Sequence, residues 1–186
     1  MKTLKLKFQL ILFACLFLAY SCGNTSTKIS AALIEIELDD IPVTDGSSAK
    51  SSTKDGELND FSGTQTINLN DLDGVEKVLK HQSKIESVEV GTASITITTT
   101  DEEGTVVKQF VLNAGNVGNF NIDQYNLGDA YTDNTMEEFA NRLLMELVFK
   151  GNVTFTASGK TDILSGENVK VKITLKDITF LANVMK

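Results

Sequence analysis

The chain has 186 residues, 41% of them hydrophobic and 23% charged, with 17 basic against 25 acidic side chains and a formal net charge of −8. That length suits one domain with a real core and leaves little room for a second, and the acidic balance opposes binding to nucleic acid or anionic lipid. Two cysteines and one histidine are too few for a structural zinc site or a disulfide scaffold.

Residues 1–21 have the chemistry of an export signal. Lys2, Lys5 and Lys7 supply a positive start, and residues 8–20 form an almost unbroken apolar run, right for a secretory segment and short for a bilayer span. The run ends in Leu18-Ala19-Tyr20-Ser21-Cys22, a small residue directly before a cysteine. This resembles the lipobox of bacterial lipoproteins: Ala19, Ser21 and Cys22 fit the pattern, and Tyr20 is bulkier than it prescribes. The resemblance implies export, cleavage before Cys22, and fatty acyl chains such as palmitate on Cys22. Gly23 after the cysteine, rather than Asp, implies the outer membrane in a cell that has two. The alternative is ordinary cleavage that leaves Cys22 an unmodified thiol. Cys15 falls within the removed segment, so no disulfide is expected in the folded body. Losing the three lysines takes the formal charge from −8 to −11. Membrane attachment then rests on the acyl chains, at about 0.8 kcal/mol per buried CH₂.

Residues 22–28 read as a lipidated cysteine and a polar tether. A first strand is expected within residues 29–43, where Ile34, Ile36 and Leu38 alternate with Glu35 and Glu37 and where Pro42 should close it. Residues 44–60 carry no β-branched aliphatic side chain and read as a flexible loop. The pattern does not decide whether the first strand packs against the main body, residues 61–186, or forms a detached arm.

In the main body, residues 64–69 alternate with Ile67 and Leu69 inward. A turn at residues 70–74 leads into a short helix over 75–81, with Val75, Val78 and Leu79 on one face. Strands come next at 85–90, 93–100 and 106–112, with a hairpin loop at Asp101-Glu102-Glu103-Gly104. Residues 113–118 read as a loop, and Phe120, Ile122 and Tyr125 as a weaker strand. Thr135 with Glu138 three residues on is a capping-box pattern, opening a helix whose apolar face is Met136, Phe139, Ala140, Leu143, Leu144 and Leu147 and whose end is Lys150-Gly151. Val153, Phe155 and Ala157 then alternate with Thr154, Thr156 and Ser158, and Val169 to Leu175 alternates with lysine and threonine. Ile178 and Phe180 fall on the opposite phase from Leu175, which predicts a bend near Lys176-Asp177 where one strand passes between sheets.

About nine short strands with frequent turns predict an all-β fold, an antiparallel β-sandwich of Greek-key type with one amphipathic helix and one short helix inserted. It is immunoglobulin-like in that loose sense, without the tryptophan and cysteine hallmarks.

The chemistry the residues support is sparse. His81 ends the expected short helix, where a cation complements the dipole. No Gly-x-Ser-x-Gly elbow and no glycine-rich phosphate loop occur. Oxygen donors crowd around Gly74, with Asn70, Asp71 and Asp73 the candidate calcium ligands beside Asn68 and Glu76. Leu69 and Lys80 occupy the first and last positions of an EF-hand frame, so that motif fails. Asp101 to Glu103 and Asp129 with Asp133 are further carboxylate groups that solvated turns explain. Tyr125 and Tyr131, in the loop-rich stretch before the long helix, are the candidate ligand or partner surface, weighed against tyrosines packed at a domain edge. The sequence thus points to a non-enzymatic, exported lipoprotein held to a membrane through Cys22. Its sandwich would bind or scaffold an envelope protein or glycan, without nucleic acid and without a cofactor. A calcium-dependent adhesion or assembly module and a hydrolase are the alternatives.

Overall fold

The computed structural model of the chain describes residues 26–46, 58–99 and 106–183. The expected export signal at residues 1–21, Cys22, most of the loop expected at residues 44–60 and the hairpin expected at Asp101 to Gly104 lie outside the described residues. Among the described residues nine strands run β1 (Ser26–Thr44), β2 (Asn59–Asn68), β3 (Ile85–Glu89), β4 (Thr92–Thr99), β5 (Val106–Ala114), β6 (Asn119–Asn126), β7 (Ala130–Tyr131), β8 (Asn152–Thr161) and β9 (Asn168–Asn183). The helices are a single turn, α1 (Glu76–Leu79), and a long one, α2 (Asn134–Lys150). Every pairing is antiparallel, so the chain is an all-β sandwich with one amphipathic and one short helix inserted.

The strand order is β6-β5-β8-β2-β1-β9-β4-β7, with β3 also beside β9. One layer is built on β9, flanked by β1 and by β3 and β4; the other is built on β8, flanked by β2 and β5. β1 belongs to both. It pairs with β9 from Ser26 to Pro42 and joins β2 at Val43 and Thr44. The first strand is therefore the seam of the sandwich and not an arm, and Ser26 to Lys28, expected in the tether, are already strand. Pro42 lies inside β1, opposite Asn168 and one residue before the first β2 partner, so it marks the change of neighbour and not the end.

The predicted bend at Lys176-Asp177 is present, but β9 does not change sheets there. Its buried residues shift phase from Val169, Val171, Ile173 and Leu175 to Ile178, Phe180 and Ala182, and Asp177 has φ of 54°. The neighbours shift at the same level: Ala31 to Ile34 in β1, and Val90 to Ala93 between β3 and β4. The registers run through unbroken, from Ala31↔Ile178 to Leu33↔Lys176 and from Glu89↔Thr179 to Thr92↔Lys176. β1, β9 and the β3–β4 connection thus turn over together along one line. Gly91 is required at this line, because a Cβ there would sit 2.9 Å from the Asp177 Cβ and 3.2 Å from its carbonyl oxygen. The passage between layers occurs instead in β1, at a bulge over Asp39-Asp40 with Asp40 at φ of 55°. An extra residue on one strand re-aims the side chains beyond it, and this one delivers Ile41 and Val43 to the core.

Helix α2 packs against β3, β4, β6 and β8, burying Met136, Phe139, Ala140, Leu143, Leu144, Leu147 and Val148. Its cap differs from the expected capping box. Asp133 is the N-cap, and its Oδ1 accepts from the Met136 amide at 2.7 Å and from the Thr135 hydroxyl at 2.7 Å. An ionised carboxylate is the stronger acceptor for the first-turn amides, which moves the start two residues upstream. Gly151 closes the helix at φ of 78° as expected, and its amide reaches the Leu147 carbonyl at 2.8 Å.

Candidate binding cleft

β1 and β2 part company because each is committed to a different layer. β2 pairs with β8 over its whole length, β1 pairs with β9 over most of its own, and among the described residues only Val43–Phe61 and Thr44–Asp60 join β1 to β2. Upstream of that junction the two strands diverge with their facing edges free of a mutual ladder. Near the junction, side chains replace the ladder. Gln65 Oε1 accepts the Asp39 amide at 3.2 Å, and Ile41 fills the space above Gly63, where a Cβ would lie 3.1 Å from Ile41 Cγ2.

Beyond this point the gap widens into a cavity of about 530 Å³, within the size range of small-ligand sites. One wall is Leu33, Glu35 and Glu37 of β1; the other is Gln65 to Asn68 of β2 and the turn Asp71 to Asp73. A second hollow of about 400 Å³ continues it toward the junction, between Leu38 to Pro42 and Ser62 to Gln65. The wide end is capped where the turn crosses β1, with the Cβ position of Gly74 2.9 Å from the Leu33 carbonyl oxygen. Leu33 is 43% exposed, whereas Ile67 and Leu72 are partly buried against the core.

The β1 wall is held by a zipper of charge. Lys172 Nζ lies 2.8 Å from Glu35 and 3.3 Å from Glu37, and Lys170 Nζ lies 3.3 Å from Glu37 and 2.8 Å from Asp39. Hydrogen bonds from Lys172 and then Lys170 hold the Glu37 carboxyl below its ordinary value; both lysines are raised in turn, Lys172 chiefly by Glu35 and Lys170 chiefly by Asp39. Such exposed pairs contribute little to stability, but they fix the side chains of this wall. Three carboxylates face two ammonium groups here, and Asp71 and Asp73 stand opposite, so the cleft is negative.

The residues singled out from sequence fall in three places. Asp71 and Asp73 line the cleft, and Asn70 stands exposed in the 3-10 turn Leu69–Asp71 beside them. Asn68 Nδ2 donates to Asp71 Oδ2 at 2.8 Å, so an amide already occupies one of the oxygens a calcium ion would need. Among the described residues no group of three or more histidine, cysteine or acidic side chains gathers as a metal site. Tyr125 is only 4% exposed, and its hydroxyl accepts the Ile97 amide at 3.3 Å on the edge of β4; burial chiefly raises its phenol pKa. Its ring is a core element that helps close β6 against β4, not a surface platform. Tyr131 is half-buried, packs edge-on to Phe120 and donates to Asp133 Oδ2 at 2.9 Å, which raises its own pKa. The two tyrosines do not converge on one surface. Cys22 and Asp101 to Glu103 lie outside the described residues. Glu35, Glu37, Gln65 and Ile67, which form the cleft, carry no local sequence signal of a site.

No family model matches the chain, and no curated protein does. Among solved structures, the decameric BFDV capsid protein superposes with a TM-score of 0.38 at 10% identity, covering 84% of this chain and 99% of that one.

Proposed function

We propose that the chain is an exported, lipid-anchored protein of the cell envelope whose β-sandwich binds an envelope or extracellular component and performs no chemistry on it. The observation that carries the binding role is the cleft between β1 and β2, a negative cavity bounded by two strands whose facing edges carry no strand partner there among the described residues. The anchor rests on the Leu18-Ala19-Tyr20-Ser21-Cys22 segment. Because β1 begins at Ser26, four residues beyond Cys22, the sandwich would start within about 14 Å of the acylated residue.

Two measurements test this reading. Metabolic labelling with palmitate should mark the parent and leave Cys22→Ser unlabelled and in the soluble fraction; equal membrane association of the two sinks the anchor. A photo-crosslinking side chain at position 66 should yield a discrete adduct in intact cells, whereas the same group at Asn121, on an exposed face of β6, should not. Identical behaviour at the two positions removes the binding role.

A further inference from the structure

Building on that reading, we propose that the β1–β2 cleft binds a short extended segment of a partner protein, alternating apolar and basic residues, as an added strand on the free edge of β1. Every residue but proline carries a main-chain donor and acceptor, and a strand edge without a partner strand turns a row of them outward. From Leu33 to Leu38 the β1 backbone is bonded on one side to β9, and its other side faces the cleft. Natural edges of this length are covered, shortened or charged, and strand addition is a recurrent way of filling them.

The cleft limits both length and composition. Gly74 stands over the Leu33 carbonyl at one end and the Asp39–Gln65 bond crosses at the other, so the free edge accommodates about five residues at roughly 3.3 Å each. Side chains of an extended segment alternate in direction. Those directed inward would meet Ile67 and Leu72, which are apolar and incompletely covered. Those directed outward would meet Asp71 and Asp73, across from the Glu35 and Glu37 zipper in which the lysines are already engaged. Lysine or arginine complements that rim, and an acidic segment is repelled by it.

The test uses the full chain in detergent and three capped pentapeptides: Val-Lys-Val-Lys-Val, its Val-Glu-Val-Glu-Val counterpart, and the basic peptide N-methylated at alternate amides. The basic peptide should bind saturably and slow hydrogen exchange at β1 amides between residues 34 and 38. The acidic peptide and the N-methylated peptide should each bind at least tenfold more weakly, and Asp71→Asn with Asp73→Asn should weaken the basic peptide at least fivefold. Absence of saturable binding by the basic peptide overturns the proposal. So does binding of the N-methylated peptide within twofold of the parent, since charge alone would then explain it, and so does binding without protection of the β1 amides. A crosslinked adduct at position 66 together with failure of all three peptides would leave the binding role standing and refute strand addition.

Discussion

Replacing Ile173 by Ala should cost the sandwich several times what replacing its neighbour Thr174 costs. Ile173 is fully buried at the centre of β9, with Ile36 of β1 and Ile95 of β4 as its flanking partners, both also fully buried. Truncation to Ala removes three carbon groups, about 2.4 kcal/mol of transfer free energy at about 0.8 kcal/mol each. A cavity term adds to this, because a position locked between two paired strands cannot collapse around the loss. The sum is about 4 kcal/mol, within the 2 to 5 kcal/mol typical of such changes and a large share of a total on the order of 5 to 15 kcal/mol. Thr174 lies on the outer face, opposite Glu35 and Ser94, so Thr174→Ala should stay at about 1 kcal/mol or below. In urea melts on a Cys22→Ser background, with a slope of about 2 kcal/mol/M, the midpoint should fall by about 2 M for Ile173→Ala and by at most about 0.5 M for Thr174→Ala. Small and equal shifts would refute the register of β9 and the central place given to it.

Two further perturbations probe the turns and the cap. Gly91→Val should cost about 1 to 3 kcal/mol in the same melts, since the new side chain meets the Asp177 Cβ and the Asp177 and Lys176 carbonyl oxygens and not a movable side-chain tip; an unchanged midpoint would show that β1, β9 and the β3–β4 connection do not turn over at that level. Asp133→Ala should cost about 0.5 to 2 kcal/mol at neutral pH, through loss of the α2 cap. Burial alone would raise the Asp133 carboxyl, but hydrogen bonds from Thr135, Met136 and Tyr131 outweigh it and hold the carboxyl below its ordinary value. The unfolded chain therefore takes up this proton first on acidification. The stabilisation is complete above the ordinary aspartate value and is lost as pH falls through the lowered one. The deficit of Asp133→Ala should accordingly shrink in melts at acid pH, and a deficit that stayed constant would count against the charged cap.

The parts of the fold legible in the sequence are those in which burial alternates with a fixed period. β8, the first half of β9 and the face of α2 are of this kind, and the phase change after Leu175 marks the bend. β2 is not. Its inward positions include Gly63 and Gln65, chosen for the nearness of Ile41 and for the Asp39 amide, so only Phe61 and the half-buried Ile67 betray the strand. β1 reads short at its start, because Ser26 to Lys28 are exposed polar residues that imitate a tether, and Pro42 imitates a strand end where it marks a change of neighbour. The helix cap lies two residues from the expected one because Asp133 and Thr135 are both good caps, and the choice depends on a carboxylate that both the Tyr131 and the Thr135 hydroxyls also approach. The cleft is out of reach altogether. Its walls come from strands about thirty residues apart, and what makes them walls is a pairing that stops.

The pairing of β1 with β9 also sets when this protein can fold. Ser26 meets Asn183 and Leu38 meets Val171, so the first strand finds its main partner only in the last sixteen residues described. Contacts so distant in the chain close the largest loops and form late and slowly. A chain emerging from synthesis would carry Ile34, Ile36 and Leu38 without their sheet until nearly all of it had been made. Were the chain exported as proposed above, a topology that withholds its seam until the end would favour threading before folding.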